Sequence, residues 1–406
     1  NKFGQPLICG SLMTFEYSDK HQKLGYDKVI MLAGGIGYGK KEDSLKSEPQ
    51  TGDIIVVLGG DNYRIGMGGG AVSSVATGEY DNTIELNAVQ RSNPEMQKRV
   101  FNVIRAFAEK AKNPIISIHD HGAGGHLNSL SELVENSGGE IDITKLPIGD
   151  PTLSAKEIMG NESQERMGLL IKEDELELLK RIAERERAPL YIVGKVSGEK
   201  KFKVVDSSSG EYSIDLSMED MFGKTPKTVL NDQSGQHPFR MLDLDTKKIY
   251  DYLELLVQME AVACKDWLTN KVDRSVTGKI AHQQTTGPIQ LPLNNLGAVA
   301  LDYKGVKGYA TAIGHAPVSS LIDSGSGAII SVAEALTNLI WAPLPEGLGS
   351  VSLSANWMWP ARSKGEDARL YKAVESLSEF AKSIGVNVPT GKDSLSMTQK
   401  YPDGSV

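Results

Sequence analysis

Apolar positions recur along the chain at two spacings, and each spacing predicts a kind of element. Residues 53–60, DIIVVLGG, form a short β-branched run closed by glycines, the pattern of a buried strand entering a loop. Met96, Val100, Ile104, Phe107 and Ala111 fall at helical spacing. They follow SNPE, where Ser92 stands three residues before Glu95 with Pro94 in the first turn, a capping-box start. Asn113 and Pro114 end that helix, and IISI at 115–118 begins a strand. A helix over 127–136 and an amphipathic helix over 173–187, with Leu176, Leu179 and Ile182 on one face, precede the strand PLYIVGKV. The second half predicts helices near 246–262, 327–341 and 366–384, and strands around 273–280, 297–302 and 308–313, with a hairpin turn over Tyr303–Gly308. Strands mixed with helices and hairpins imply an α+β fold of mixed α/β layers rather than an all-parallel sheet. The polar stretch between Lys224 and Leu242, with Pro226, Gly235 and Pro238, marks the main boundary. It divides a first domain, 1–230, from a linker, 231–244, and a second domain, 245–406.

Composition narrows the possibilities. At 406 residues the chain is too long for one core, since single cores rarely exceed about 250 residues. A formal net charge of -8 disfavours a nucleic-acid partner, which calls for a basic field, so anionic ligands must be held by local devices. Cys9 and Cys264 alone build neither a disulfide framework nor a zinc cluster, which suits a reducing, cytoplasmic setting. No apolar run approaches the roughly 20 residues that span a bilayer, so no membrane partner is expected. Asn1 in place of Met, and the ending KYPDGSV on a turn signal, lead us to expect a piece of a longer chain.

Several stretches carry candidate chemistry. The loop from Gly66 to Ser74, with Gly68, Gly69 and Gly70, offers consecutive N–H groups of the kind that cradle phosphate, and reads equally as a tight packing turn. It fits neither the dinucleotide nor the Walker pattern. HDHGAGGH, 119–126, sets Asp120 and His121 between a strand end and a glycine turn, where side chains converge on a pocket. Asp120 is there either as a magnesium carboxylate or as a cap on the following helix. NESQER, 161–166, gathers Glu162, Ser163, Gln164 and Arg166, suited to a polyhydroxylated, amide-bearing ligand or to a solvated loop. Glu334 and Asn338, four apart, share a face of an otherwise apolar helix, as ion ligands or as a hydrogen-bonded pair. Lys265 and Lys392 are candidate phosphate contacts.

The strings GGIGYG, RIGMGGGAVSS, VQRSNPEM, HDHGAGG, NESQERMG, DRSVTG, GPIQLPL, EALTN, SANWMWP and GKDSLSM stand in the order and approximate spacing of one family. Together they make the chain resemble the long, single-chain form of phosphoribosylformylglycinamidine synthase from Asn1 to its end. The resemblance implies a C-type domain of one aminoimidazole ribonucleotide synthetase-like lobe followed by the N-type domain of a second. It implies an ATP-dependent ligase of purine biosynthesis that uses glutamine-derived ammonia to convert formylglycinamide ribonucleotide into its amidine. It assigns Gln90, Glu162, Ser163 and Gln164 to that ribonucleotide and Asp120 to Mg2+ at the catalytic ATP. Lys265, Glu334 and Asn338 go to a second, structural site holding ADP and Mg2+, with Met13, Thr14 and Phe15 alongside. Where the family has Ala-Asp this chain has Asn294-Asn295, which keeps an oxygen ligand but loses its charge, and implies weaker magnesium binding there. Two rivals remain: another synthetase of the fold group, and a non-enzymatic nucleotide-binding scaffold. The missing domains imply that the piece alone is inactive, and its exposed N-type domain is a surface for self-association.

Overall fold

The computed structural model describes residues 10–18, 23–28, 35–90, 92–227, 229–233, 239, 243–264, 279–282, 285–286, 288, 291–292 and 295–406. Two compact units divide the chain: one is Ala33–Thr228, the other joins Asn1–Leu32 to Val229–Val406. The first domain expected over 1–230 therefore loses its opening stretch, and the expected linker belongs to the second unit. Named bonds account for this regrouping. Thr14 Oγ1 donates to the Glu260 carbonyl (2.9 Å), Lys28 Nζ to the Ser396 carbonyl (2.9 Å), and the Tyr401 hydroxyl to Asp27 (2.6 Å). The same opening stretch carries a small antiparallel pair, β1 (Glu16–Ser18) and β2 (Lys23–Gly25).

The Ala33–Thr228 unit is built on a seven-stranded sheet of β3 (Ile54–Leu58), β4 (Ile115–His121), β5 (Gly139–Asp142), β6 (Ser163–Ile171), β7 (Leu190–Val196), β8 (Lys201–Val205) and β9 (Tyr212–Ser217). Its order is β4-β6-β3-β7-β5-β8-β9, antiparallel except for the β5–β8 pair. The all-apolar IIVVL of β3 follows from its central place with both faces covered. Ile54, Val56 and Leu58 pack with Val100, Val103 and Phe107 of a helix over Pro94–Ala108 and Leu179 of a helix over Leu176–Glu186. Ile55 and Val57 pack on the other face with Leu130 and Leu133 of a helix over Gly125–Leu133 and with Ile158 and Met159. The cap of the Pro94–Ala108 helix is Asn93, whose side chain accepts the Met96 N–H at 3.1 Å, one residue later than the Ser92 expected from the capping box.

In the second unit a helix over Ile249–Gln258 precedes an antiparallel sheet of β10 (Ile280–His282), β13 (Leu296–Ala300) and β14 (Gly308–Ala312), with the short pair β11 (Thr285–Thr286) and β12 (Leu291–Pro292) between them in sequence. A further pair, β15 (Ser352–Met358) and β16 (Asn387–Ser394), is parallel, joined by the helix Glu366–Ile384 in a β-helix-β crossover. Leu296, Leu339, Val351 and Val386 form this unit's core. The helix Ser324–Leu339 starts on Asp323, which accepts the Ser326 N–H at 2.7 Å.

Candidate functional site

In the first unit four separate motifs meet at one carboxylate. The chain leaves β3 and turns through Gly66 and Gly68, both with positive φ (76° and 69°), into a short helix at Gly69. A second turn leaves β4 and passes through Gly124 into the helix at Gly125. Glu162, just before β6 and 3% exposed, lies between them. One of its oxygens accepts the Gly70 N–H (2.8 Å) and the Gly124 N–H (3.1 Å); the other accepts the Gln90 amide (3.1 Å). A Cβ at Gly69 would stand 2.5 Å from Glu162 Oε2, and one at Gly66 2.3 Å from the Glu162 carbonyl, so the carboxylate sits this deep only because both positions are glycine. Gly70 of the expected phosphate cradle thus points its N–H at a carboxylate of this chain.

The remaining candidates of this unit surround that carboxylate. Ser163 is buried and its hydroxyl donates to Glu165, while Gln164 is exposed on β6. Asp120 is exposed at the end of β4; one oxygen accepts the Gly122 N–H (2.8 Å), and the other makes no hydrogen bond among the described residues. His121 is wholly buried, against the expectation that it lines a pocket. Burial first, then the Arg166 charge, hold its pKa well below the usual imidazole range. Its ring contacts His126, and a narrow cleft is lined by Asp61, Tyr63, Ile65, Asn161, Glu162, Ser163 and Arg166. Asn161 and His126 were not singled out from sequence, because their partners, Tyr63 and Ile65 for the first and Arg166 and Asn62 for the second, are distant in the chain.

In the second unit three candidates converge on the segment Ile313–His315 after β14. The Asn295 carbonyl accepts the Ile313 N–H (3.4 Å), Asn338 donates to the Ile313 carbonyl (3.0 Å), and Glu334 accepts the His315 N–H (3.0 Å). These bonds use the amide nitrogen of Asn338 and one carboxylate oxygen of Glu334. His315 also hydrogen-bonds Ser11 Oγ at 2.7 Å, which brings the stretch leading to Met13, Thr14 and Phe15 to the same place. Sequence reading missed His315. Lys392 reaches the neighbouring Asp393 carbonyl, and Lys265 and Asn294 lie outside the described residues. Among the described residues no group of three or more His, Cys, Asp or Glu gathers as a metal cluster, and no helix is long and apolar enough to cross a membrane.

Residues 50–207 match the family described as AIR synthase related protein, C-terminal domain, and residues 264–405 match the FGAR-AT PurM_N-like domain. Among solved structures, T. maritima PurL complexed with FGAR has a TM-score of 0.63 at 18% identity over 87% of this chain and 53% of that one. PurLQS from Thermotoga maritima has a TM-score of 0.60 at 18% identity over 88% and 52%. The fold is therefore that of the AIR synthase related class, a C-type domain followed by an N-type one. Phosphoribosylformylglycinamidine synthase of Homo sapiens is 40% identical over 420 residues, 98% of this chain and 31% of that protein. That of Saccharomyces cerevisiae is 39% identical over 422 residues, 100% of this chain and 31% of that protein. The Arabidopsis thaliana relative, named as probable and chloroplastic/mitochondrial, is 38% identical, over 100% of this chain and 30% of that protein. The chain belongs to the phosphoribosylformylglycinamidine synthase family, and spans about 30% of the length of these relatives.

Proposed function

We propose that the chain supplies half of the ribonucleotide site and half of a nucleotide site to an enzyme that converts formylglycinamide ribonucleotide into formylglycinamidine ribonucleotide in purine biosynthesis. The observation that carries this reading is the meeting of Gly70, Gln90, Gly124 and Glu162, from four distant motifs, at one buried carboxylate. In this reading Gln90, Glu162, Ser163 and Gln164 hold the ribonucleotide.

The chemistry has two steps. The amide oxygen of the substrate takes the γ-phosphoryl of ATP, leaving ADP and an iminophosphate. Ammonia derived from glutamine then adds at that carbon, and phosphate leaves with the former amide oxygen. Positioning and electrostatics dominate such a transfer. Asp120 in one unit, and Asn295, Glu334 and Asn338 in the other, are the oxygen donors suited to Mg2+, which neutralises phosphate charge when bound. With Asn295 neutral, magnesium at the second, ADP-holding site binds less tightly than a carboxylate there would allow. The chain by itself is expected to bind without turning over, in the cytoplasm or in whichever compartment houses its enzyme.

Titration with formylglycinamide ribonucleotide, beside magnesium-ADP, tests the reading. Ribonucleotide binding in the absence of nucleotide supports it. Binding of magnesium-ADP alone, with no heat from the ribonucleotide, favours a nucleotide-binding scaffold instead.

A further inference from the structure

Beneath Glu162 runs a chain of buried polar side chains that the proposed ligand contacts do not use. Asn62, His121 and His126 have no exposed surface, and Arg166 is 1% exposed. Arg166 Nη1 donates to Asn62 Oδ1 (2.6 Å) and to His126 Nε2 (2.7 Å), more distantly to the Asn161 carbonyl (3.3 Å), and Nη2 donates to Asn161 Oδ1. A guanidinium only donates, so His126 Nε2 is the acceptor and carries no proton. The proton of this ring is on Nδ1, which donates to His121 Nε2 at 2.9 Å. The 3.2 Å approach of His126 Nε2 to Asn62 Oδ1 is then a meeting of two acceptors bridged by one guanidinium. Burial, His121 and the Arg166 charge hold the pKa of His126 well below the usual imidazole range, which keeps the ring neutral and able to accept.

The chain continues outward to the glycine loop. Asn161, gripped at both its side-chain and main-chain oxygens by Arg166, donates its amide to the carbonyls of Tyr63 and Ile65 (2.8 Å each) and approaches Met67 Sδ at 3.3 Å. Those residues lead directly into Gly66–Gly70, and the residue after Asn161 is Glu162.

We infer that His126, as its Nδ1–H tautomer, is a positioning residue for the ribonucleotide site: it fixes Arg166, Arg166 fixes Asn161, and Asn161 sets the loop over 63–67 so that Gly70 and Glu162 meet. The importance of this for binding rests on the function proposed above; the positioning itself does not. His126→Leu removes both ring nitrogens at similar bulk, whereas His126→Gln restores an oxygen acceptor where Arg166 donates.

Two readouts on the wild-type chain and both variants separate the questions: hydrogen exchange of the 63–70 amides relative to β3, and affinity for formylglycinamide ribonucleotide. The expected result is exchange at 63–70 faster by ~10-fold or more in His126→Leu, with β3 unchanged, a comparable loss of affinity, and near-wild-type behaviour in His126→Gln. Unchanged exchange at 63–70 in His126→Leu, or equal loss in both variants, overturns the inference. A wild-type chain that binds no ribonucleotide, while exchange responds as expected, removes the proposed function and leaves the positioning role standing. A His126→Leu variant too unstable to isolate is met by nitrogen NMR of the wild-type imidazoles, where a proton on Nε2 of His126 overturns it equally.

Discussion

At the scale of single residues, the buried carboxylate of Glu162 is the most constrained group of the candidate site. Two main-chain N–H groups and one amide, all part-buried, satisfy it. Glu162→Ala should therefore cost about 1–3 kcal/mol for each N–H left buried, read as a lower urea midpoint. Asp142 gives a pH test. Burial pushes its pKa up, but bonds from the Thr144 and Ser207 hydroxyls, the Thr144 N–H and Lys145 prevail and bring it down to about 2. A carboxylate lowered on folding stabilises fully above its unfolded pKa of 3.8 and ceases to do so as pH falls toward about 2. The melting-temperature gap between wild type and Asp142→Asn should thus be constant at neutral pH and narrow below about pH 4. Glycines and polar residues at strand ends made Gly68 to Gly70, Asp120 and Glu162 legible as candidates in the sequence. Nothing in the spacing of Asn62, His126 and Arg166 shows that they touch, because only the folded sheet brings them together.

At the scale of elements, long periodic segments were legible and short polar ones were not. The helix over 366–384 was bounded correctly, since nineteen residues of pattern lie between Gly365 and Gly385, both in left-handed conformations. β9 and β16 escaped sequence reading: YSIDLS is largely exposed and is a strand by its hairpin pairing with β8, and NVPTGKDS carries Pro and Gly and is a strand because the distant β15 pairs with it. The start of the Pro94–Ala108 helix separates two competing caps. Asn93→Ala should cost about 1 kcal/mol in chemical unfolding while Ser92→Ala stays close to zero, and the reverse order would restore the capping box read from the sequence.

At the scale of the whole molecule, a composition shift led to the expectation of a linker over 231–244 without indicating what that stretch binds. Asp232, in the stretch expected to be a free linker, accepts the Gly365 and Asp367 N–H groups (3.1 and 3.2 Å) and so caps the helix over 366–384. Composition marks such a stretch as polar without showing what it binds. The helix over 249–258 exposes Ile249, Leu253, Leu256 and Val257 along one stripe. We expect two copies of the chain to associate through it, with Leu253→Ser and Leu256→Ser together shifting sedimentation toward monomer. Whether the first unit holds a ribonucleotide at Glu162 is decided by calorimetric titration of wild type and a Gln90→Ala, Gln164→Ala variant with formylglycinamide ribonucleotide. The wild type should bind, and the folded variant should lose affinity by ~10-fold or more. Equal affinity in the two proteins would place the ribonucleotide elsewhere and contradict binding at Glu162.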